Sequence, residues 1–326
     1  MSSKKKGLEE KLIAEPLYGK RVIVGFSGGA DSVSLLYRLL EIREKKSLTL
    51  EAAHVNHCLR AEESERDEAF VRTFCDQWKI PLTVKRVNIL KLAQEQHLSV
   101  EECGREQRYR FFAALAAEDG IVVTAHTLSD NMETVLFHII RGTALTGLCG
   151  IPAERGNIVR PLLNCTRQDV EDYCKRKKLR FVTDSSNLSV AYTRNKIRLE
   201  ILPKFYEINP AVDESFFRML QTLQKDQDCL EQFAEDLWQR AEQGEQIALA
   251  QLSDQPEALL CRIGVKILKK YQLPLEHQYV QKVAALIKQG SGRQNIAENI
   301  HLKVKDGFLF LDLPVPKVPF FSYAID

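Results

Sequence analysis

The sequence predicts an α/β protein: a doubly wound parallel sheet, followed by a smaller, mainly helical domain that ends in short strands. Three observations predict it. Short β-branched runs alternate with stretches of helical periodicity through the first part of the chain. A glycine pair, in SGGADS at 27–32, stands between the first such run and the helix after it. Beyond Pro203, Asn209 and Pro210 the alternation gives way to longer amphipathic patterns. The expected domains are therefore residues 1–205 and 206–326.

Residues 21–26, RVIVGF, are strand-like and almost wholly apolar, as a strand covered on both faces should be. Residues 33–40 place apolar side chains at helical spacing. A second strand is expected over 48–55, a helix over 61–78, a third strand over 82–87, a long helix over 100–118 and a fourth strand over 121–125. The helix expected over 129–141 has Ser129 as its N-cap. Strands separated by helices pair in parallel through crossovers, which lay helices on both faces of the sheet. In the second part, 216–240, 257–271 and 276–288 read as amphipathic helices, and 300–304 and 308–313 as strands.

Composition narrows the function classes. The chain has 326 residues, 46 Lys+Arg against 44 Asp+Glu, and 44% hydrophobic residues, so it can bury a substantial core. The near-neutral total conceals two unlike parts. Residues 1–205 carry 33 basic and 27 acidic side chains, a net +6, and residues 206–326 carry 13 and 17, a net −4. Within the first part, residues 160–204 hold 11 basic and 5 acidic side chains, a candidate polyanion surface. The run KRKK at 175–178 equally suits an ordinary solvated helix face. The longest uncharged stretch, 142–153, is too short and too polar to cross a bilayer. MSSKKKGLEE at the start lacks the apolar core of a secretory signal, so a cytoplasmic protein without membrane contact is expected. Eight scattered cysteines form no CxxC and no zinc ligand set, and are expected as reduced core residues.

The most informative segment is SGGADS at 27–32. Two glycines let the backbone approach a ligand closely, and N–H groups of the turn and helix start converge on one place, which makes an anion cradle. Asp31 would repel a phosphate unless a cation lay between them, which implies Mg²⁺. A tight strand–helix turn capped by Ser27 and Asp31 is the alternative. The loop lacks both the GK[ST] ending of a Walker A loop and the GxGxxG of dinucleotide folds. The hexad resembles the N-type ATP pyrophosphatase (PP-loop) family, whose members cleave ATP between its α- and β-phosphates.

Further segments choose a branch of that family. HVNHCLR at 54–60 follows the second strand, where the switch-point crevice is expected, and TAHTLSDNMET at 124–134 follows the fourth. Asp130 and Glu133, three residues apart, share one helix face near its start. RGTALTGL at 141–148, RPLL at 160–163, DSSN at 184–187 and YTRNKIR at 192–198 come next, with Leu202 and Pro203 behind them. In this order, over residues 20–210, the motifs resemble the lysidine synthetase branch, in a short form. The resemblance implies a Rossmann-like fold and an ATP-dependent C–N ligase using Mg²⁺. It would join free L-lysine to carbon 2 of the wobble cytidine of tRNA(Ile) with a CAU anticodon, through an adenylated cytidine. A homodimer is one assembly open to it.

The same resemblance assigns ATP phosphates to Ser27, Gly28, Gly29, Ala30, Asp31 and Ser32, with Asp31 also reaching the metal, and ATP contacts to His54 and His126. It assigns lysine to Asp130 and Glu133, with metal binding by one of them left open, and a catalytic role to Arg108. It assigns tRNA to Arg194, Asn195, Lys196 and Arg198. The attacking amine must be unprotonated, so a carboxylate or His126 is the candidate proton acceptor. Blander roles stand beside these. Asp130 and Glu133 would complement a helix dipole in any case, and His54 and His57 would serve as structural residues, as is expected of His97, His138, His277 and His301. Tyr109 and Phe112 are expected to face the core, and Arg105 and Arg108 to reach ATP or RNA. The basic segment would alternatively be a hinge, salt-bridged internally. Two rivals are a tRNA sulfur transferase, for which the paired cysteines are missing, and a non-catalytic RNA- or nucleotide-binding relative.

Overall fold

The computed structural model describes residues 7–59, 61–183, 193–297 and 300–312. The DSSN motif, Arg60, Tyr192 and Leu313 lie outside the described residues. By the density of its internal contacts the chain divides into two compact units, one up to Leu223 and one from Gln224 on.

In the first unit a short helix α1 (Leu8–Lys11) precedes strand β1 (Arg21–Gly25), helix α2 (Ala30–Ile42), β2 (Thr49–Asn56), α3 (Ala61–Gln77) and β3 (Leu82–Arg86). Helices α4 (Ile89–Gln96) and α5 (Val100–Ala116) lead to β4 (Gly120–Val123), α6 (Leu128–Arg141), α7 (Leu145–Leu148), β5 (Glu154–Arg155), β6 (Ile158–Val159) and α8 (Arg167–Lys177). The strands lie in the order β3-β2-β1-β4-β6-β5. All are parallel except the β5–β6 hairpin at the edge.

β1 is central and shows why its sequence is so apolar. Val22 and Val24 pack on one face with Leu35, Leu36 and Leu39 of α2, Val71 and Phe74 of α3 and Tyr173 of α8. Ile23 points to the other face, where Ala53, Phe112, Ala116 and Val122 meet it. Alternate side chains of a strand project to opposite faces, so a strand covered on both needs apolar residues throughout. From β1 the chain moves out to β2 and β3, then returns to β4 on the far side of β1. The topological switch point therefore falls between β1 and β4, at the ends of those strands. The end of β2 opens beside it, and His54 and His57 of the HVNHCLR segment line the crevice as expected.

Several local expectations also change. Helix α6 is capped by Thr127, not Ser129. The Thr127 hydroxyl accepts from the Asp130 N–H, and the Asp130 carboxylate accepts from the Thr127 N–H, a reciprocal capping box. Helix α8, whose pattern alone does not mark it, opens with the same device at Thr166 and Asp169 and ends at the KRKK run. That run is only partly a solvated face: Lys177 pairs with Glu41 and Arg176 with Glu9.

After α9 (Thr193–Lys196) comes a π-helical turn at Ile197–Ile201, then α10 (Leu202–Ile208) and the long α11 (Val212–Ala241). Ile197, Leu202, Val212 and Leu220 pack with Leu128, Met132, Val135 and Leu136 of α6. This shared cluster explains why the first compact unit runs to Leu223, inside α11, beyond the change of composition near 205.

The second unit holds α12 (Glu257–Lys270) and α13 (His277–Gln289) with strands β7 (Glu242–Gln243), β8 (Gln246–Ala248), β9 (Gly292–Ala297), β10 (Ile300–Lys305) and β11 (Phe308–Asp312). The strands form an antiparallel sheet in the order β7-β8-β11-β10-β9. Ile263, Ile267, Val283, Ile287, Leu302 and Leu309 fill the core. Only β10 and β11 were expected. β7 and β8 are too short to show a period, and the GRQNIA of β9 has too little apolar alternation.

Leu36 is fully buried against β1. Leu36→Ala should lower the unfolding free energy by about 3 kcal/mol, within the usual range for such a cavity, as read by urea denaturation. A change below about 0.5 kcal/mol would contradict the packing described.

Candidate active site

The ends of β4, β1 and β2 open into a cavity of about 390 Å³. Its floor is the turn between β1 and α2. Gly28 sits at φ 87°, a backbone conformation that favours glycine, and a Cβ there would come within 3.0 Å of Val182 and 3.2 Å of Phe70. The Ser32 hydroxyl accepts from the Gly28 N–H (3.1 Å) and donates to the Gly29 carbonyl (3.0 Å), while Ser27 Oγ lies 3.1 Å from Ser32 Oγ. These hydroxyls brace the loop from within. Among the described residues no side chain caps α2, whose first residue follows Gly29, so its first-turn N–H groups point to the space a ligand would take. The alternative of a turn whose helix is capped by Ser27 and Asp31 is therefore not what the structure shows.

Negative charge gathers at this end of the sheet. Burial, and then the nearby Asp130, push the Asp31 carboxyl up to about 6. Arg167 and Arg198 act against that rise. One oxygen of Asp130 closes the capping box, 2.8 Å from both the N–H and the hydroxyl of Thr127. The other faces Arg198 Nη2 at 3.2 Å. Glu133, one turn on and buried, takes Arg198 in a two-pronged pair: Nε to Oε1 at 2.5 Å and Nη2 to Oε2 at 3.0 Å. Burial nevertheless holds the Glu133 carboxyl above its ordinary range.

The remaining walls carry histidine, arginine and aromatic groups. His54 Nδ1 donates to the Phe26 carbonyl at 2.8 Å, since a carbonyl can only accept, and so ties β2 to the turn at 27–32. His126 Nδ1 lies 2.9 Å from Thr124 Oγ1, and burial lowers its pKa to about 4. His57 is likewise lowered to about 4, by burial and then by Arg108, and its buried Nδ1 has no partner among the described residues. Arg108 opens into the cavity, and the surrounding walls lower its pKa without bringing an Arg near neutrality. Tyr109, expected to face the core, instead lines the cavity, edge-on to Phe112 with ring centres 6.5 Å apart. Phe112 is buried as expected, and its ring comes so near Gly25 that a Cβ there would meet it at 2.9 Å.

Ser27, Gly29, Asp31, Ser32, His54, Arg108, His126 and Asp130 thus line one cavity. Gly28 and Ala30 shape the loop without lining it. Glu133 joins through Arg198. Arg194 and Lys196 are exposed and Asn195 is half-buried, none of them lining the cavity. The sequence reading missed two contributors: Arg167, whose charge bears on Asp31, and Thr127. The spacing of Thr127 and Asp130 was the available signal for the second.

A family model described as a PP-loop domain matches residues 4–205. The chain belongs to the PP-loop domain family. A tRNA(Ile)-lysidine synthase of Clostridium perfringens is 37% identical over 295 residues, 86% of this chain and 62% of the relative. One of Bacteroides thetaiotaomicron is 45% identical over 197 residues, 60% of this chain and 45% of the relative. The chain thus spans less than two thirds of the length of these relatives. Among solved structures, the U34-tRNA thiolase NcsA from Methanococcus maripaludis with its [4Fe-4S] cluster superposes with a TM-score of 0.55. It covers 66% of this PP-loop chain and 76% of its own at 20% identity, a likeness of fold alone. No helix among the described residues is long and apolar enough to cross a membrane.

Two groups of the crevice give the ligand-free protein opposite pH dependences. The Asp31 carboxyl, raised from 3.8 to about 6, keeps a proton in the folded chain that the unfolded chain releases, so its contribution to stability is lost as pH rises through that window. His57, lowered from 6.5 to about 4, resists protonation when folded, so its contribution is lost as pH falls through that window. Urea unfolding should therefore show Asp31→Asn gaining on the wild type as pH rises from 4 to 6. The His57 ring should stay neutral by NMR until pH approaches 4. Ordinary titration of His57 near 6.5 would contradict its burial.

Proposed function

We propose that this chain ligates free L-lysine to carbon 2 of the wobble cytidine of tRNA(Ile) with a CAU anticodon, at the expense of ATP, forming lysidine. One observation carries the reading. The phosphate loop with Asp31 and the carboxylate pair Asp130–Glu133 face the same end of the sheet, and the pair already grips a cation, the Arg198 guanidinium. The names of the relatives point the same way. A nucleotide binder without catalysis has no need to keep Asp31 desolvated beside Asp130. Sulfur transfer on this fold normally uses paired cysteines or an iron–sulfur cluster, and the eight cysteines at 58, 75, 103, 149, 165, 174, 229 and 261 include no CxxC pair.

In this reaction the 2-carbonyl oxygen of cytosine attacks the α-phosphorus of ATP and pyrophosphate leaves. The lysine ε-amine then attacks carbon 2, the carbon–oxygen bond to AMP breaks, and the amine gives up a proton. The turn at 27–32 would hold the phosphates through the first N–H groups of α2. Asp31 fits Mg²⁺, because a desolvated carboxylate crowded by a second one is relieved by a cation, and Mg²⁺ commonly takes one or two carboxylates plus phosphates. Bound there, the ion would supply charge neutralisation at the phosphates. Arg108 would face the charge developing at the α-phosphate. Tyr109 offers a flat aromatic wall to a base, and bases extruded from RNA are commonly stacked on such side chains. His126, kept neutral, is the base available to the amine proton, with Glu133 the second candidate. Asp130 and Glu133 would hold cationic lysine.

Incubation with unmodified tRNA(Ile) of CAU anticodon, ATP, Mg²⁺ and labelled lysine should give lysine-dependent AMP and label in the RNA. No incorporation would sink the reading. Asp31→Asn should lower the rate by about 10²-fold or more, the usual cost of losing a charge partner of the transition state. A variant within threefold of wild type would remove Asp31 from the chemistry. Arg194→Ala and Lys196→Ala, at exposed positions, should each weaken tRNA binding and flatten its salt dependence by about one phosphate contact. An unchanged slope in both would take this segment off the RNA surface.

A further inference from the structure

We infer that Arg198 is a built-in placeholder for the substrate's cation. It closes the lysine subsite in the free protein, and RNA bound to the segment that carries it opens the subsite. The inference rests on the reading of Asp130 and Glu133 as the lysine site.

The first support is occupancy. Glu133 engages Arg198 through both its oxygens, and Asp130 divides its two between Arg198 and Thr127. All four carboxylate oxygens thus have a donor before any substrate arrives. The Glu133 side chain is only 5% exposed. A second cation beside Arg198 would therefore meet it at close range with little water to screen the repulsion. Lysine and Arg198 compete for the same two anions. The pairing also has a use in the empty protein, because a buried carboxylate left without a partner is costly.

The second support is where Arg198 sits. It is the second residue of the π-helical turn Ile197–Ile201, between α9 and α10. Such wide turns hold one residue more than an α-helical turn would and often mark functional positions. A change of register by one residue in a helix swings a side chain by about 100° around the axis, enough to lift a guanidinium off its partners. Ile197, buried against α6, anchors the backbone beside it, so the turn can rearrange about a fixed point.

The third support is what precedes the turn. Arg194 and Lys196 are exposed on α9, immediately before it, and suit RNA phosphates. The charge of Arg194 is already felt at Glu133 and at Arg108. RNA phosphates drawn to α9 would pull on the turn and offer its arginine new anions. The segment that meets the RNA and the residue that blocks lysine are thus one continuous piece of chain. Lysine would be admitted only after the nucleotide it must attack is in place.

Equilibrium dialysis of labelled L-lysine on the full chain tests this, for wild type, Arg198→Ala and Arg198→Lys, each with and without unmodified tRNA(Ile). Wild type should bind lysine about tenfold or more tightly with tRNA than without it, a usual size for coupling between two sites. Arg198→Ala should bind lysine without tRNA about as tightly as wild type does with it, and tRNA should add little. Arg198→Lys, which keeps a cation on the turn, should restore part of the block. ATP binding by each variant reports that it is folded, and if Arg198→Ala does not fold, the wild-type comparison decides alone. Wild-type affinity indifferent to tRNA overturns the proposal. So does weaker or equal lysine binding by folded Arg198→Ala, which would make Arg198 part of the site or a bystander while leaving the lysine reading intact. Absence of lysine binding in every form, with and without tRNA, overturns both together.

Discussion

Crowded negative charge is the constraint around which this crevice is organised. Asp130, in the first turn of α6, comes near enough to bear on Asp31, at the start of α2, because both helices begin at the same end of neighbouring parallel strands. Helix N-termini tolerate carboxylates, but they do not neutralise two that also share a desolvated cleft. The surrounding arginines are the response. Arg198 spans Asp130 and Glu133, and Arg167, at the start of α8, offsets Asp31. The same desolvation keeps His57 and His126 neutral, since a charged imidazole loses more than it gains there.

The crevice exists because of strand order. The chain leaves β1 towards β2 and leaves β4 towards β6, so the connections after these two neighbouring strands diverge instead of filling the gap. Gly25 lets Phe112 close in under the gap, and Gly28 lets the turn at 27–32 fold back against Val182 and Phe70. A cleft of this kind leaves the first N–H groups of α2 facing an open space lined by titratable side chains, the arrangement expected of a site that handles charged groups.

Much of the first unit was legible in the sequence, because period and punctuation carry it. Four strands and the helices α2, α3, α5 and α6 stand where their patterns placed them. The misses share a cause. Helix α4 is short and the β5–β6 hairpin has two residues a side, so little periodicity builds up in them, and α8 buries only Val170, Tyr173 and Cys174 among charged neighbours, too few apolar positions to mark a face. In the second unit β7, β8 and β9 gain their strand character from neighbours across the sheet, which no local pattern records. Ser129 failed as a cap because Thr127 has a carboxylate three residues on to answer it, and Ser129 has Met132 there.

The sequence alone determined the chemistry on offer: a glycine-bearing turn between strand and helix, a carboxylate within it, a second pair one helical turn apart, and a basic segment downstream. These are local facts, set by spacing along one strand or one helix. The tertiary structure decided which of them meet. Arg198 read as one basic residue among several facing RNA, yet it reaches across some 65 positions of sequence to Glu133, and no periodicity encodes such a contact. Tyr109 read as a core residue, and only the packing of α5 over the end of β1 turned it toward the cavity. The near-balance of 46 basic and 44 acidic residues likewise said nothing of where the charges pair. Electrostatic partners are chosen by distance in space, and that distance is set by the order of strands in the sheet.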